Sequence, residues 1–275
     1  MSTAPASSPT ELRRLCASRQ WYHTIELAPG ILTPGWFDLR ALTHKLAFPE
    51  SMAGMRCLDI GTFDGFWAFE MERRGAQEVI GLDILDPRAW DWPWGSADAV
   101  VEALEERKDA GRGFNIAREA LGMSATRLEG SVYELDPAVH GTFDFVYLGS
   151  LLLHLRDPIG ALERVRSVCT GQLLVLDQIH LPLSVTRPRQ PAATLDGVGR
   201  PWWWRVNLRG LARMVAAAGF TLERRPQPLL MPRGGGQPFP RLTAKAFTTR
   251  IGREQLFSAV AGAPHAAVLA RPRAA

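Results

Sequence analysis

Two glycines and two carboxylates stand at fixed spacing where the chain could hold a polar ligand. Residues 56–67 read RCLDIGTFDGFW, an apolar run that contains Asp59 and leads to Gly61 and Gly65. A strand that passes through a glycine turn into a helix presents free backbone N–H groups at the carboxyl edge of a sheet. Asp83 ends the next apolar run about 20 residues later, where a carboxylate can accept both hydroxyls of a ribose. These residues predict a nucleoside-binding site.

The glycine spacing differs from that of a dinucleotide-binding site. Such sites use G-x-G-x-x-G to bring the backbone close to a pyrophosphate, whereas Phe63 occupies the position of the middle glycine here. The pattern D-x-G-x-x-x-G suits a cofactor without phosphates. The alternative is that the glycines only mark a turn in an unrelated α/β protein, and the acidic end of the second run argues against it.

Short apolar segments alternate with helical stretches through the middle of the chain. The predicted strands are 55–60, 78–84, 126–129, 143–149 and 172–177, and the predicted helices between them include 65–74 and 158–169. Apolar strands that alternate with helices are typical of a parallel sheet covered on both faces. We therefore expect an α/β protein with a doubly wound sheet.

The chain is expected to form one main domain with extensions. Residues 1–51 are predicted to be an N-terminal cap segment, and 52–275 the domain itself, with an insertion at 85–125 and a lid at 178–208. Beyond the lid we predict a helix at 209–218, a strand at 220–225, a Gly/Pro-rich loop at 225–240, a final helix and a last strand at 265–271.

The composition is that of a soluble globular protein. Apolar residues make up 46% of the 275 and charged residues 22%, and there is no apolar run of about 18 residues that could span a membrane. The small, polar N-terminus lacks a secretory pattern, so a cytoplasmic location is expected. A net charge of +4 with scattered basic residues permits nucleic-acid binding without indicating it. Without paired cysteines or an HExxH motif, no metal is implied.

Five segments resemble class I methyltransferases, which bind S-adenosylmethionine. They read LDIGTFDGFWAFE, VIGLDI, LEGSVYELD, FDFVYLGSLLLHLRDP and LLVLDQ, in that family's order, and the resemblance covers about 55–220. It implies a Rossmann-like, mostly parallel sheet of seven strands and S-adenosylmethionine as cofactor. Phe63 departs from the family's G-x-G-x-G loop. The residues assigned to the cofactor are Asp59, Gly61, Thr62, Phe63, Gly65, Asp83, Ile84, Ser131, Val132, Gly149, Ser150, Tyr22 and Trp92.

Within the family, two further segments are similar to the tRNA wobble-uridine carboxymethyltransferase group and its relatives. They read WYHTIELAPGILTPGWFDLR and LLLHLRDPIGALERV. That group has a Tyr-His pair where this chain has Leu153-His154, and the missing hydroxyl argues for ordinary S-adenosylmethionine and against a tRNA substrate. A small-molecule acceptor is therefore expected. A tRNA-modifying enzyme and a non-catalytic adenosyl-binding protein are the alternatives, and the oligomeric state stays open.

Two histidines are candidates for the chemistry. Methyl transfer from a sulfonium is an in-line displacement, so a base is needed only if the nucleophile must lose a proton. His154 follows the fourth predicted strand at the opening of the sheet, and His180 follows the fifth. For each of them the alternative is a structural histidine that bonds its own loop.

Aromatic segments outside the predicted sheet suggest what covers the site. Tyr22 and His23 could fold over the cofactor and touch its methionine part, or belong to an apolar flap. Trp92 could stack on adenine, or pack under the insertion. The tryptophan-rich loops favour a partly aromatic or apolar acceptor. The residues assigned to the acceptor are His23, Trp203, Arg205 and Asn207.

Overall fold

Short strands and one helix precede the central sheet. The computed structural model describes residues 8–96, 98–196 and 202–274. Its first elements pair locally, β1 with β4 in parallel and β2 with β3 antiparallel. These elements are α1 (Pro9–Ala17), β1 (Trp21–His23), β2 (Glu26–Ala28), β3 (Ile31–Leu32) and β4 (Gly35–Phe37).

Helices and strands alternate in the middle of the chain. In order they are β5 (Arg56–Ile60), α2 (Phe66–Arg73), β6 (Glu78–Asp83), α3 (Asp98–Lys108), α4 (Arg112–Leu121), β7 (Thr126–Glu129), α5 (Pro137–His140), β8 (Phe143–Gly149), α6 (Pro158–Val168) and β9 (Cys169–Gln178). The predicted strands 126–129 and 143–149 match in both bounds. Strand β9 begins before the predicted 172, directly after α6.

The remaining elements complete the sheet and cover its carboxyl edge. They are α7 (Leu181–Thr186), β10 (Ala193–Leu195), β11 (Trp204–Val206), α8 (Leu208–Ala217), β12 (Phe220–Leu222), β13 (Gln227–Met231), α9 (Ala244–Thr248), α10 (Arg250–Ala261) and β14 (Ala263–Pro272). Strands β10 and β11 form a separate antiparallel pair in the region predicted to be a lid.

The central sheet has the order β12-β14-β9-β8-β5-β6-β7, and β13 pairs with β14 as an eighth strand. Strands β5 to β9 run parallel, and β14 runs antiparallel to β9. The α/β, doubly wound, mostly parallel and Rossmann-like prediction is confirmed. The prediction of a loop throughout 225–240 is wrong, because β13 lies there. Its Pro228 is accommodated because β13 pairs only with β14.

Apolar side chains hold helices on both faces of this sheet. On one face, Phe69 of α2 and Phe114 of α4 are fully buried with ring centroids 5.1 Å apart. On the other, Val165 of α6 and Leu211 of α8 are fully buried against the strands. Each such side chain contributes about 1.5–3 kcal/mol through burial. The central residues of β5, β8 and β9 are accordingly mostly apolar, since both faces of these strands are covered.

The order of the strands sets where a ligand can enter. Strands β5 and β8 are neighbours, and the connections leaving them run in opposite directions along the sheet, towards β6 and towards β9. In open α/β sheets, the crevice at such a switch point lies beyond the carboxyl ends of the strands. Among the described residues, no helix is both long and apolar enough to cross a bilayer.

Candidate active site

A cavity of about 1790 Å³ opens where the parallel strands end. Its walls include the residues at four neighbouring strand ends: Gly61 after β5, Asp83 of β6, Ser131 after β7 and Gly149 of β8. Small-molecule sites commonly enclose about 300–1,000 Å³. The cavity is therefore large enough for two ligands side by side.

The loop after β5 has the backbone shape of a glycine loop, although its middle position is Phe63. The φ angles of Gly61, Phe63 and Gly65 are 76°, 52° and 88°. Phe63 thus adopts a left-handed conformation that costs a residue with a Cβ about 1–2 kcal/mol. Its ring lines the cavity and stacks on Tyr22 at 4.9 Å. Gly65 serves packing, since a Cβ there would lie 2.5 Å from the Phe69 ring.

Asp59 and Thr62 hold this loop from behind. Asp59 Oδ2 accepts hydrogen bonds from Thr62 Oγ1 at 2.6 Å and from the Ala68 N–H at 3.0 Å. Both side chains are buried, and burial raises the pKa of Asp59 to about 7. Among the residues that the structure describes, Gly61 and Phe63 line the cavity, whereas Asp59, Thr62 and Gly65 do not. These three residues stabilise the loop, and their direct contact with a cofactor stays a prediction.

Asp83 lies in the cavity wall with an unforeseen partner. Its Oδ2 accepts from the Phe63 N–H at 2.9 Å, and its Oδ1 accepts from Lys108 Nζ at 2.5 Å. The Lys108 side chain is 1% exposed, and burial lowers its pKa while Asp83 opposes that shift. A carboxylate has about four lone-pair sites, so the pair leaves Asp83 able to accept further hydrogen bonds. Sequence reasoning missed Lys108, because nothing in the insertion indicated which side chain would turn inward.

The segment after β7 forms the neighbouring wall. Ser131 and Val132 line the cavity together with Ile84. The Ser131 hydroxyl accepts from the Tyr133 N–H at 3.2 Å and caps a short 3₁₀ turn, Val132–Glu134. This turn fixes the backbone of Ser131 and Val132 at the edge of the cavity.

The tryptophan that reaches the cavity is Trp90. It stacks on Trp92, with ring centroids 6.1 Å apart, and lines the wall. Trp92 packs behind it, and its indole N–H donates to the Pro87 carbonyl at 2.7 Å. The structure thus brings Trp90 rather than Trp92 to the cavity wall, and the contact of Trp92 with the cofactor stays a prediction. Sequence alone did not distinguish the two indoles, because they are two residues apart in an irregular loop.

Tyr22, Ser150 and His265 form a hydrogen-bonded row beside Gly149. The Tyr22 hydroxyl interacts with the Ser150 side chain, and Ser150 Oγ lies 3.1 Å from His265 Nε2. His265 Nδ1 lies 2.9 Å from the Ala263 carbonyl, which can only accept, so Nε2 accepts the Ser150 proton. Burial lowers the pKa of His265 to about 4 and raises that of Tyr22 to about 12, so both are neutral. Tyr22, Ser150, His265 and Gly149 all line the cavity. Sequence reasoning missed His265 because it lies far along the chain on β14.

The two histidines proposed for catalysis lie in different surroundings. His154 lies on the 3₁₀ turn Leu152–His154, lines the cavity and has its ring centroid 6.0 Å from that of Trp90. His180 lies outside the described walls, and its Nε2 is 3.6 Å from Glu254 Oε1. Burial lowers the pKa of His180. The Glu254 carboxylate beside it lines the cavity, and the catalytic assignment of His180 stays a prediction.

His23 is a structural residue. It is 5% exposed and its Nδ1 bonds Asp64 Oδ1. Asp64 Oδ2 also accepts from the backbone N–H groups of Tyr22 and His23, at 2.8 and 2.9 Å. The structure gives His23 a partner within the protein, and its assignment to the acceptor stays a prediction. The pair ties β1 to the loop before α2 and holds Tyr22 at the cavity.

The three acceptor residues predicted near β11 separate in the structure. Arg205 lines the cavity, and its Nη2 donates to Glu254 Oε2 at 2.9 Å. The Trp203 indole N–H donates to the Asp91 carbonyl. Of the two neighbouring tryptophans, Trp202 is the one that lines the cavity. Asn207 is fully buried and accepts from the Gly210 N–H at 2.7 Å as the N-cap of α8. The side chains of Trp203 and Asn207 thus bond within the protein, and their assignment to the acceptor stays a prediction.

The described residues offer no cluster of three or more His, Cys, Asp or Glu side chains that could hold a metal ion. What the site does present is a carboxylate, a glycine-type loop and backbone edges at the ends of β5 to β8. This donor set suits a nucleoside with hydroxyl and amino groups.

The chain matches a family model and several solved structures. The model, described as a methyltransferase domain, matches residues 37–224. The N-terminal domain of EvdMO1, determined with SAH and D-fucose, has a TM-score of 0.57 and 16% identity over 98% of this chain and 100% of that one. Magnesium protoporphyrin IX methyltransferase (ChlM) from Synechocystis PCC 6803, with bound SAH, has a TM-score of 0.51 and 15% identity over 86% and 82%. No curated protein sequence matches the chain.

These findings differ in what they show. The two solved structures share the fold with this chain, and at such identities they show the fold alone. The family match names no subgroup, so the likeness to the tRNA wobble-uridine group stays a prediction. The match nevertheless spans more than half of the chain, including β5, β6, β7 and β8 with their loops. The chain belongs to the methyltransferase domain family.

Proposed function

We propose that this protein transfers a methyl group from S-adenosylmethionine to a small, partly aromatic or apolar acceptor. The observation that carries this proposal is the single large cavity, in which the nucleoside-type edge of the sheet continues into an apolar chamber. The apolar chamber is defined by Leu181, Val185, Phe239, Ile251 and Phe257, which line the cavity and are between 37% and 70% exposed. Large apolar side chains left uncovered in a concave wall favour an apolar ligand.

The ends of the strands would bind the cofactor. The carboxylate of Asp83 would accept ribose hydroxyls, Ser131 and Val132 would flank the adenine, and Gly61 and Gly149 would allow close approach of the methionine part. When bound, S-adenosylmethionine supplies an electrophilic methyl group on its sulfonium. The SAH bound in the EvdMO1 domain and in ChlM supports the same cofactor here.

The sheet order separates the two ligands. The cofactor residues lie at the ends of β5, β6 and β8 and after β7, whereas the apolar chamber is built from α7, α10 and the 232–243 segment. Helix α7 follows β9, and α10 leads into β14, which is the neighbour of β9. The acceptor would therefore lie on the β9 side of the cofactor. Its alignment there is the main contribution the protein makes to an in-line displacement.

His154 is the proposed proton acceptor. It lines the cavity close after β8, between the cofactor residues and the apolar chamber. An acceptor hydroxyl or amine that must lose a proton during methylation could give it to the imidazole, because a ring nitrogen of a neutral histidine can accept a proton.

Methyl release to defined acceptors tests the proposal. Purified protein would be incubated with methyl-labelled S-adenosylmethionine and a panel of aromatic hydroxyl and amine compounds, polar non-aromatic acceptors and bulk tRNA. We expect label in aromatic or apolar products and none in the tRNA. Turnover of polar, non-aromatic acceptors alone would contradict the acceptor class. Salt-sensitive transfer to tRNA would favour the wobble-uridine alternative.

A further inference from the structure

A buried cluster of charged and polar side chains lies beside the apolar chamber. This Arg205 cluster consists of His180, Arg205 and Glu254. Arg205 Nη2 donates to Glu254 Oε2 at 2.9 Å, and His180 Nε2 lies 3.6 Å from Glu254 Oε1. The side chains of Arg205 and His180 are only 7% and 8% exposed. A guanidinium this far from water requires hydrogen-bond acceptors, because unfilled donors are costly in such a place.

The Arg205 cluster is incompletely satisfied within the described chain. Nε and Nη1 of Arg205, both ring nitrogens of His180 and Oε1 of Glu254 are buried without a hydrogen-bond partner there. Arg205 and Glu254 both line the cavity. Since native proteins rarely leave buried polar atoms unpaired, spare guanidinium N–H groups in a cavity wall indicate a ligand with acceptor oxygens.

The charge of the cavity indicates what kind of acceptor group this is. On the side of the apolar chamber, the cavity wall contains three basic residues and one acidic residue: Arg205, Arg250, Arg253 and Glu254. Burial and the charge of Arg205 lower the pKa of His180, so it adds no further positive charge at neutral pH. On the cofactor side, by contrast, Lys108 is paired with Asp83. With Arg107 counted beside Lys108 and Asp83, the cofactor side carries one net positive charge, whereas the chamber side carries two. The larger positive excess therefore lies at the chamber, where it favours an anionic group.

We propose that the acceptor is an apolar or aromatic carboxylic acid whose carboxylate is bound by Arg205. Its apolar body would lie against Leu181, Val185 and Phe257 of the apolar chamber. Anchoring the far end of the acceptor at β11 presents its other end to the cofactor side, and this restricts its orientation before methyl transfer. The inference rests on the proposed function and adds the substrate class to it.

Calorimetric titration with a matched pair of ligands tests the inference. Naphthoate and its neutral isostere naphthamide would each be titrated into the full chain saturated with S-adenosylhomocysteine. We expect naphthoate to bind about tenfold or more tightly than naphthamide, because only the acid forms charge-assisted bonds with Arg205. Arg205→Met should abolish this preference. Glu254→Gln should strengthen it, since a competing anion is removed.

Controls separate this inference from the proposed function. Arg209→Met removes an exposed arginine of α8 that lies outside the described cavity walls, and should leave the preference for naphthoate intact. If Arg205→Met fails to fold, Arg205→Lys and Glu254→Gln decide the question through the same ratio of affinities. Equal affinities, or no binding of either ligand by a complex that holds S-adenosylhomocysteine, would overturn the carboxylate inference alone. Failure to bind S-adenosylhomocysteine would overturn the proposed function, and the inference with it.

Discussion

Phe63 shows how a single residue can depart from a family pattern without changing the loop. Its φ of 52° is the angle that glycine adopts readily, so the backbone path is retained and the ring is added to the cavity wall. The ring is stabilised on one side by Tyr22 at 4.9 Å, and Lys108 Nζ lies 4.7 Å from its centroid. Packing thus offsets a backbone strain of about 1–2 kcal/mol.

A pair of substitutions isolates that strain. Phe63→Ala and Phe63→Gly both remove the ring, but only alanine keeps a Cβ in the left-handed conformation. We expect Phe63→Gly to be more stable than Phe63→Ala by about 1 kcal/mol, measured as the free energy of unfolding in urea. An alanine variant as stable as the glycine variant would show that the loop does not hold Phe63 at positive φ.

His154 is the residue whose replacement should separate chemistry from binding. With any acceptor that loses a proton, His154→Ala should lower kcat by about 10²–10⁴-fold. The affinity for S-adenosylhomocysteine should stay within about twofold, since the contacts assigned to the cofactor do not involve the His154 side chain. His44→Ala, at an exposed histidine, is the matched control. Unchanged kcat would remove the proton-acceptor role, and loss of folded protein would favour a structural one.

At the level of secondary structure, helix α8 depends on one side chain. Asn207 Oδ1 caps the helix at the Gly210 N–H, and its Nδ2 donates to the carbonyls of Arg187 and Gln190 at 3.0 and 2.8 Å. One amide therefore joins α8 to the segment after α7. This explains why Asn207 is fully buried, and its role is structural.

Replacing the two caps of α8 and α10 compares a buried with an exposed site. Asn207→Ala should lower the free energy of unfolding by about 2–3 kcal/mol, because the cap and two further buried bonds are lost. Thr249→Ala removes an exposed cap, whose Oγ1 accepts from the Gly252 N–H at 3.0 Å, and should cost about 1 kcal/mol. Equal losses in chemical denaturation would contradict the structural role given to Asn207.

Elements with a continuous apolar run or clear end signals could be predicted from the sequence. Strand β8 has buried apolar or aromatic side chains at Phe143 and at 145–148, and α6 begins with Pro158 behind the Asp157 cap. Strand β13 was missed because its proline and the glycines after it are typical of a loop. It exists because β14 offers an edge, which is a tertiary effect.

For the site, the sequence indicated the strand ends but not the side-chain partners. Asp83 ends an apolar run and Ser131 follows the predicted strand 126–129, so their place at the carboxyl edge was predictable. The pairing of Asp83 with Lys108, and the row from Tyr22 to His265, join segments far apart in the chain. Asn207 did carry a usable signal, since asparagine directly before a helix is a common N-cap.

For the molecule as a whole, buried titratable groups should make stability depend on pH in opposing directions. Burial lowers the pKa of His265 to about 4, below an unfolded value of about 6.5, so its contribution is lost as pH falls through this window. Burial raises the pKa of Asp59 and Asp177 to about 7, so their contributions are present at low pH and lost as pH rises towards 7.

Comparing the natural chain with a His265 variant separates the effect of His265 on stability from that of the carboxyl groups. The free energy of unfolding of the natural chain and of His265→Asn would be compared at about pH 4.5 and about pH 7. The natural chain should lose up to about 3 kcal/mol relative to the variant at the lower pH, because only the natural chain must keep a buried imidazole neutral. A constant difference between the two proteins would show that His265 is not shielded from protonation.

The central claim is that the ends of β5 to β8 hold an adenosyl cofactor, and calorimetric titration with S-adenosylhomocysteine tests it most directly. We predict binding with a dissociation constant on the order of micromolar, no binding of NAD, and an affinity about tenfold or more weaker in Asp83→Ala. No binding of S-adenosylhomocysteine, or equal binding of NAD, would contradict the account.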